Sequence, residues 1–151
     1  MRPPWRNPLQ GPYWEFKAMP DINTAKVCFV IAKARELASE DTGVEADASN
    51  PSDDNFVSVL TEDAGDSIRA ELRGFIDAMD EDEQCELVAL AWVGRGDYAA
   101  EEWATAVAEA RARRDRRTSA YLMESPLLAS HLEYGLAEFD ENCDGFAADR
   151  Q

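Results

Sequence analysis

Apolar residues recur at helical spacing along most of this chain, and this periodicity restricts the fold more than any other feature. The clearest stripe consists of Ile68, Leu72, Phe75, Ile76 and Met79, which lie on one face of a helix. The run LVALAWV that follows has almost no polar side and predicts a deeply buried helix. No segment alternates apolar and polar residues as a half-buried strand requires. The sequence therefore predicts an all-α fold, an irregular orthogonal bundle of about six helices.

Capping residues indicate where several helices begin and end. An Asp-x-x-Glu capping box at residues 80–83 begins the helix that contains LVALAWV, and Gly94 or Gly96 ends it. The Ser-Pro pair at 125–126 begins the last helix, in which Gly135 would let another helix approach closely. The predicted helices cover residues 22–38, 53–62, a third helix capped at Asp66, then 80–94, 99–117 and 126–139, with an acidic loop at 39–52.

Composition divides the chain into three parts. Residues 1–20 carry five prolines and four aromatic residues, so they predict an extended arm rather than a helix. This arm either docks on the domain or on a second copy, or it stays solvated. Residues 21–140 form the helical domain, and residues 141–151 form a flexible acidic tail.

The net charge of −16 restricts the partners of this protein. A surface of this sign repels nucleic-acid phosphates and anionic lipids, so a basic or neutral protein partner is favoured instead, and a homodimer is expected to form through the arm. No apolar stretch reaches the roughly 18 residues of a membrane-spanning helix, and the N-terminus lacks the apolar core of a signal peptide. The widely spaced Cys28, Cys85 and Cys143 are interpreted as buried reduced thiols. These features predict a cytoplasmic protein with no membrane partner.

The best candidate site is the stretch from Trp92 to Trp103. In the functional interpretation Arg95 holds an anion while Trp92 and Trp103 form the walls of a ligand or peptide pocket, with Asp97 beside them. In the structural interpretation the same residues form a corner between two helices. There Arg95 pairs with a carboxylate and Asp97 caps the next helix. The corner is favoured, because charged residues at helix ends usually serve those ends.

Two acidic motifs could hold a cation. Glu83 and Glu86 form one carboxylate pair, and Glu141 and Asp144 could form a second pair for a metal between facing helices. Residues 140–145 also match the first half of a calcium loop, but the position that requires a bidentate glutamate is Gln151. A solvated acidic face and tail are favoured, so no metal and no cofactor are predicted.

The basic run at residues 111–117 and the lone His131 are the remaining candidates. The arginines could grip phosphate, but at a helix end in an acidic domain a structural role is favoured. His131 has no nucleophile and acid at catalytic spacing, so no catalytic residue is predicted.

Four segments together resemble the bacterial family called domain of unknown function 3775. They are KVCFVIAKARE, NPSDD, ELRGFIDAMDEDEQCELVALAWVGRGDY and RTSAYLMESPLLASHLEYGLAEF, and the resemblance covers residues 21–139. It implies a small helical bacterial protein with no assigned activity, so it transfers no catalytic residue. Ala99 departs from the family pattern, where a capping Ser or Thr is expected, and Asp97 is the substitute cap.

Taken together, the residues favour a non-enzymatic interaction or regulatory module that self-associates. Two alternatives stay open: a small-molecule or metal-dependent enzyme with a site near Arg95 and Asp97, and an acidic nucleic-acid mimic.

Overall fold

The computed structural model describes residues 18–46, 51–114 and 117–149 of the chain. The predicted arm therefore lies outside the described residues except for its last three positions. The described ranges contain helices and no strand, which confirms the all-α fold. The helices are α1 (Thr24–Ala46), α2 (Pro51–Asp77), α3 (Glu81–Arg95), α4 (Trp103–Ala112), α5 (Thr118–Met123), α6 (Leu128–Ala137) and α7 (Asp144–Asp149).

Helix α3 is the centre of the bundle and packs against α4, α5 and α6. It begins at the predicted capping box, where the Glu83 amide donates to Asp80 Oδ1 at 2.8 Å and the Asp80 amide donates to Glu83 Oε1 at 3.1 Å. It ends at Gly96, whose φ of 96° is left-handed. Every residue from Leu87 to Val93 is buried, as the apolar run predicts.

Helices α3 and α6 cross in close contact at two glycines. A Cβ on Gly94 would overlap the His131 carbonyl oxygen and lie 2.8 Å from the Gly135 amide nitrogen. A Cβ on Gly135 would overlap the Leu90 carbonyl oxygen. The close approach expected at Gly135 is therefore confirmed, and Gly94 provides its counterpart on α3.

Helices α1 and α2 are longer than the sequence suggests. Helix α1 continues to Ala46, and a single helix, α2, replaces the two predicted over residues 53–79. The loop at 39–52 was therefore predicted too long, and the break before Asp66 was wrong. Gly65 stays helical because its backbone needs no special conformation there. Helix α1 packs against α2 and α6, and its Val27, Val30 and Ile31 are buried in the core.

The predicted helix over residues 99–117 was also wrong in its extent. A short 3-10 turn, Ala100–Glu102, precedes α4, and a separate helix, α5, begins at Thr118. Helix α5 buries Ser119, whose hydroxyl donates to Asp77 Oδ1 of α2 at 2.7 Å, so this contact favours a turn before residue 118. Asp97 does not cap the turn. The Ala99 amide donates to Glu102 Oε1 at 2.8 Å instead, because Asp97 pairs with an arginine.

The cysteines depart from the expectation of three reduced thiols. Cys28 of α1 and Cys143 form a disulfide with their Cα atoms 5.6 Å apart, although 115 positions separate them in sequence. Only the tertiary fold brings them together, so their spacing could not indicate it. Cys85 remains a buried free thiol.

Within the described residues, no helix combines the length and the apolar character needed to cross a bilayer.

Candidate functional site

Trp92 lies in the last turn of α3 and links three elements. The residue is buried, with 7% of its surface exposed. Its indole Nε1 donates to Tyr121 Oη of α5 at 2.9 Å. The Tyr98 ring stacks on the indole at a centroid distance of 5.8 Å. This contact set fixes both aromatic rings in one orientation.

A cavity of about 550 Å³ opens on one side of the Trp92–Tyr121 hydrogen bond. Its apolar wall contains Cys85, Val88 and Trp92 from α3, together with alanines of α4. Its polar groups come from the α4–α5 segment: Arg113, Arg114, Thr118 and Tyr121. This volume falls in the range of ordinary ligand sites, and it combines an apolar wall with few polar groups.

A second cavity, of about 260 Å³, opens on the other side of the same hydrogen bond. Trp92 and Tyr121 line it as well, together with Arg95, Leu128 and His131. The two cavities share these two aromatic walls, and we call them together the Trp92 groove. The groove runs along α3 between α4, α5 and the start of α6.

The four residues singled out from the sequence divide between this groove and the core. Arg95 and Asp97 form an ion pair beside Trp92, with Arg95 Nε 2.9 Å from Asp97 Oδ2, and both side chains are nearly half exposed. This pair raises the pKa of Arg95, and Tyr121 adds to the effect. Trp103 points elsewhere: it is buried and contacts the Phe139 ring edge-on at 5.2 Å. The structure thus brings Trp92, Arg95 and Asp97 together and leaves Trp103 in the core.

Most arginines of the basic run neutralise carboxylates of neighbouring turns or helices. Arg111 pairs with Asp82 at 3.0 Å, Arg113 with Glu109 at 2.6 Å, and Arg117 lies 3.8 Å from Asp77. These pairs match the structural role expected for the run.

Arg114 differs from its neighbours. Among the described residues, its guanidinium donates a hydrogen bond to the neutral side-chain oxygen of Gln84. The Gln84 side-chain amide in turn donates to the Ile76 carbonyl at 2.9 Å. Gln84 thus positions the guanidinium at the cavity without neutralising its charge. The cavity therefore offers a cation to an anionic group.

Cys85 in the cavity wall is held as a neutral thiol. Burial raises its pKa above the usual value, while the charges of Arg111 and Arg114 act in the opposite direction. A neutral buried thiol is a poor nucleophile, so this cysteine contributes apolar surface.

The acidic residues at the start of α3 serve the fold. Asp21, Asp80, Asp82, Glu83 and Glu86 surround a third cavity, of about 440 Å³. Glu86 Oε1 accepts from the Asp21 and Ile22 amides at 2.8 and 2.7 Å, and burial raises its pKa despite these bonds. Glu83 pairs with Lys26 in addition to its capping role.

The second carboxylate pair and the calcium-like loop likewise have local partners. Glu141 accepts from the Thr24 hydroxyl at 3.2 Å, and the Asn142 side chain accepts from the Asp144 amide at 3.0 Å. Across the described ranges, no three His, Cys, Asp or Glu residues are grouped so that they could hold a metal.

Sequence reasoning missed Tyr121, Thr118 and the distinct role of Arg114. The Thr-Ser pair at 118–119 was the available signal, because hydroxyl residues favour helix starts, although Arg117 occupies the N-cap position of α5.

These features define a small all-α protein with an aromatic, arginine-bordered groove. Residues 69–140, just under half of the chain, match the family model described as Protein of unknown function (DUF3775), the family that the sequence resembles. The matched segment includes α3 to α6 and hence the Trp92 groove, whereas α1 lies outside it. No curated protein and no solved structure matches the chain at a significant level.

Proposed function

We propose that this protein is a non-enzymatic interaction module that self-associates, and that the Trp92 groove of one copy binds the acidic C-terminal segment of a second copy. The observation that carries the proposal is an apolar cavity bordered by Arg114, whose guanidinium donates to the neutral Gln84 among the described residues, on a protein of net charge −16. A basic rim on an acidic molecule favours an acidic occupant.

Helix α7 has the chemistry that such a groove accepts. Phe146 is 36% exposed, and Asp144, two positions before it on the same helix, is an exposed carboxylate. An aromatic ring can fill the cavity next to Trp92 while a neighbouring carboxylate pairs with Arg114. The N-terminal arm has less suitable charge, because Arg2, Arg6 and Lys17 outnumber its single acid, Glu15.

The ion pair between Arg95 and Asp97 supports binding over catalysis at this place. Each group neutralises the other, and the nearby Cys85 is held as a neutral thiol. A catalytic use would need an activated nucleophile or a base with access to a substrate.

Sedimentation velocity of the full chain at increasing concentration tests the proposal. We expect a dimer whose population rises with concentration, measured at one fixed ionic strength, because salt screens both the Arg114 contact and the repulsion between two copies of net charge −16. Arg114→Ala and Phe146→Ala should each weaken dimerisation by about tenfold or more. Arg69→Ala is the matched control: this arginine of α2 pairs with Asp66 at 3.1 Å, and its loss should leave dimerisation unchanged.

Three outcomes would contradict the proposal. They are a monomer at every concentration, a dimer that both groove variants leave intact, and a dimer that disappears only when residues 1–17 are deleted. The last outcome would assign self-association to the arm.

A further inference from the structure

The Cys28–Cys143 disulfide is the main link between the C-terminal segment and the rest of the protein. Among the residues whose burial is described, Phe139 is the last one in the core, where it packs on Trp103. Beyond it, the Glu141 amide donates to the Leu136 carbonyl at 2.9 Å and the Glu141 side chain accepts from Thr24. Both contacts of Glu141 lie at an exposed position.

Helix α7 itself has little packing. Within the described residues it forms no extensive contact with another helix, and Asp144, Gly145 and Phe146 are all exposed. A six-residue helix is too short to be stable alone in water. Among the contacts of the described residues, the covalent bond at the preceding residue, Cys143, is the one that ties this helix to α1.

We propose that Cys28 and Cys143 form a reversible thiol–disulfide site that clamps residues 140–149 to α1 and releases them on reduction. Cys28 is buried, with 3% of its surface exposed, whereas Cys143 is half-buried. An incoming thiolate therefore reaches the Cys143 sulfur first.

The chemistry is a pair of exchange steps with a thiol such as glutathione. The thiolate attacks Cys143 Sγ, the Cys28–Cys143 bond breaks, and Cys28 leaves as a thiolate that takes a proton from water. A second thiolate then attacks the mixed disulfide and frees Cys143. Two external thiols become one external disulfide, and the protein disulfide becomes two thiols; oxidised glutathione reverses both steps.

The two chemical states can be counted directly. After incubation with oxidised glutathione, denatured protein should titrate one free thiol, Cys85, whereas after dithiothreitol it should titrate all three cysteines. The intact mass should differ by about 2 Da between the two states. Three titratable thiols after oxidation, or a stable glutathione adduct on Cys143, would overturn the site.

Hydrogen exchange on the full chain tests the clamp. Reduction should speed exchange in residues 141–149 by about tenfold or more, with α3 unchanged. Cys143→Ser in oxidising buffer should reproduce the reduced pattern, and Cys85→Ala should keep the redox response. Equal exchange of residues 141–149 in the two states would refute the clamp. The exchange measurements use Arg114→Ala as the background, so that docking of this segment on a second copy does not add to its protection, and the thiol count does not depend on dimerisation.

Discussion

Replacing Gly94 by alanine should destabilise the protein strongly, because two backbones meet at this residue. The added Cβ would overlap the His131 carbonyl oxygen, lie 2.6 Å from the His131 carbonyl carbon and lie 2.8 Å from the Gly135 nitrogen. None of these atoms belongs to a flexible side chain, so α3 and α6 must move apart. Overpacking of this kind typically costs about 1–3 kcal/mol. Alanine regains at most about 1 kcal/mol of helix propensity.

The net expectation is therefore a loss of roughly 1–2 kcal/mol in the free energy of unfolding. Urea denaturation followed by far-ultraviolet circular dichroism measures it. Gly74→Ala is the matched control, since this glycine is also helical but a Cβ there would meet nothing within 4 Å. It should stabilise the protein by about 0.5–1 kcal/mol. A Gly94→Ala protein as stable as the parent, or one that shifts in the same direction as Gly74→Ala, would refute the reasoning.

Three further predictions concern stability. Burial raises the folded-state pKa of Glu86 above 4.5, so the stability that this protonated group contributes is complete below that pH and is lost as pH rises through the folded pKa. The urea midpoint of Glu86→Gln should therefore increase relative to that of the parent over this pH range, because glutamine stays neutral. A difference between the two midpoints that does not change with pH would contradict this prediction. Asp80→Ala should cost about 1 kcal/mol by removing the cap of α3, whereas Asp82→Ala, which removes an exposed ion pair, should cost clearly less in the same assay. Trp92→Phe should lower the free energy of unfolding by about 1 kcal/mol, because it removes the hydrogen bond to Tyr121. Tyr121→Phe should then lower it less in the Trp92→Phe protein than in the parent, and additive losses in this double-mutant cycle would argue against the hydrogen bond.

The parts of the fold that the sequence predicts correctly depend on local signals. The cap at Asp80 and the burial of residues 87–93 follow from neighbours within one or two helical turns, and of the two glycines predicted to end α3, Gly96 is the one that does so. The predicted break before Asp66 failed because a polar, glycine-containing stretch need not leave the helix.

The groove was harder to predict, because its members meet only in three dimensions. Trp92 and Arg95 were candidates from sequence, but Tyr121 and Arg114 reach them from a separate helix and turn. The spacing of Trp103 suits a pocket wall and a core position equally, and only the position of Phe139 distinguishes them. The Cys28–Cys143 pair is the extreme case of a contact without a local signal.

The position of α1 has a consequence for the stretch shared with the family. Residues 69–140 do not enclose a complete core, because α1 covers faces of α2 and α6 from outside that stretch. A fragment limited to residues 69–140 would expose those apolar faces of α2 and α6 to solvent and would tend to aggregate. We therefore expect any protein that contains this stretch to cover these faces with a helix equivalent to α1, either from elsewhere in its own chain or from a partner protein.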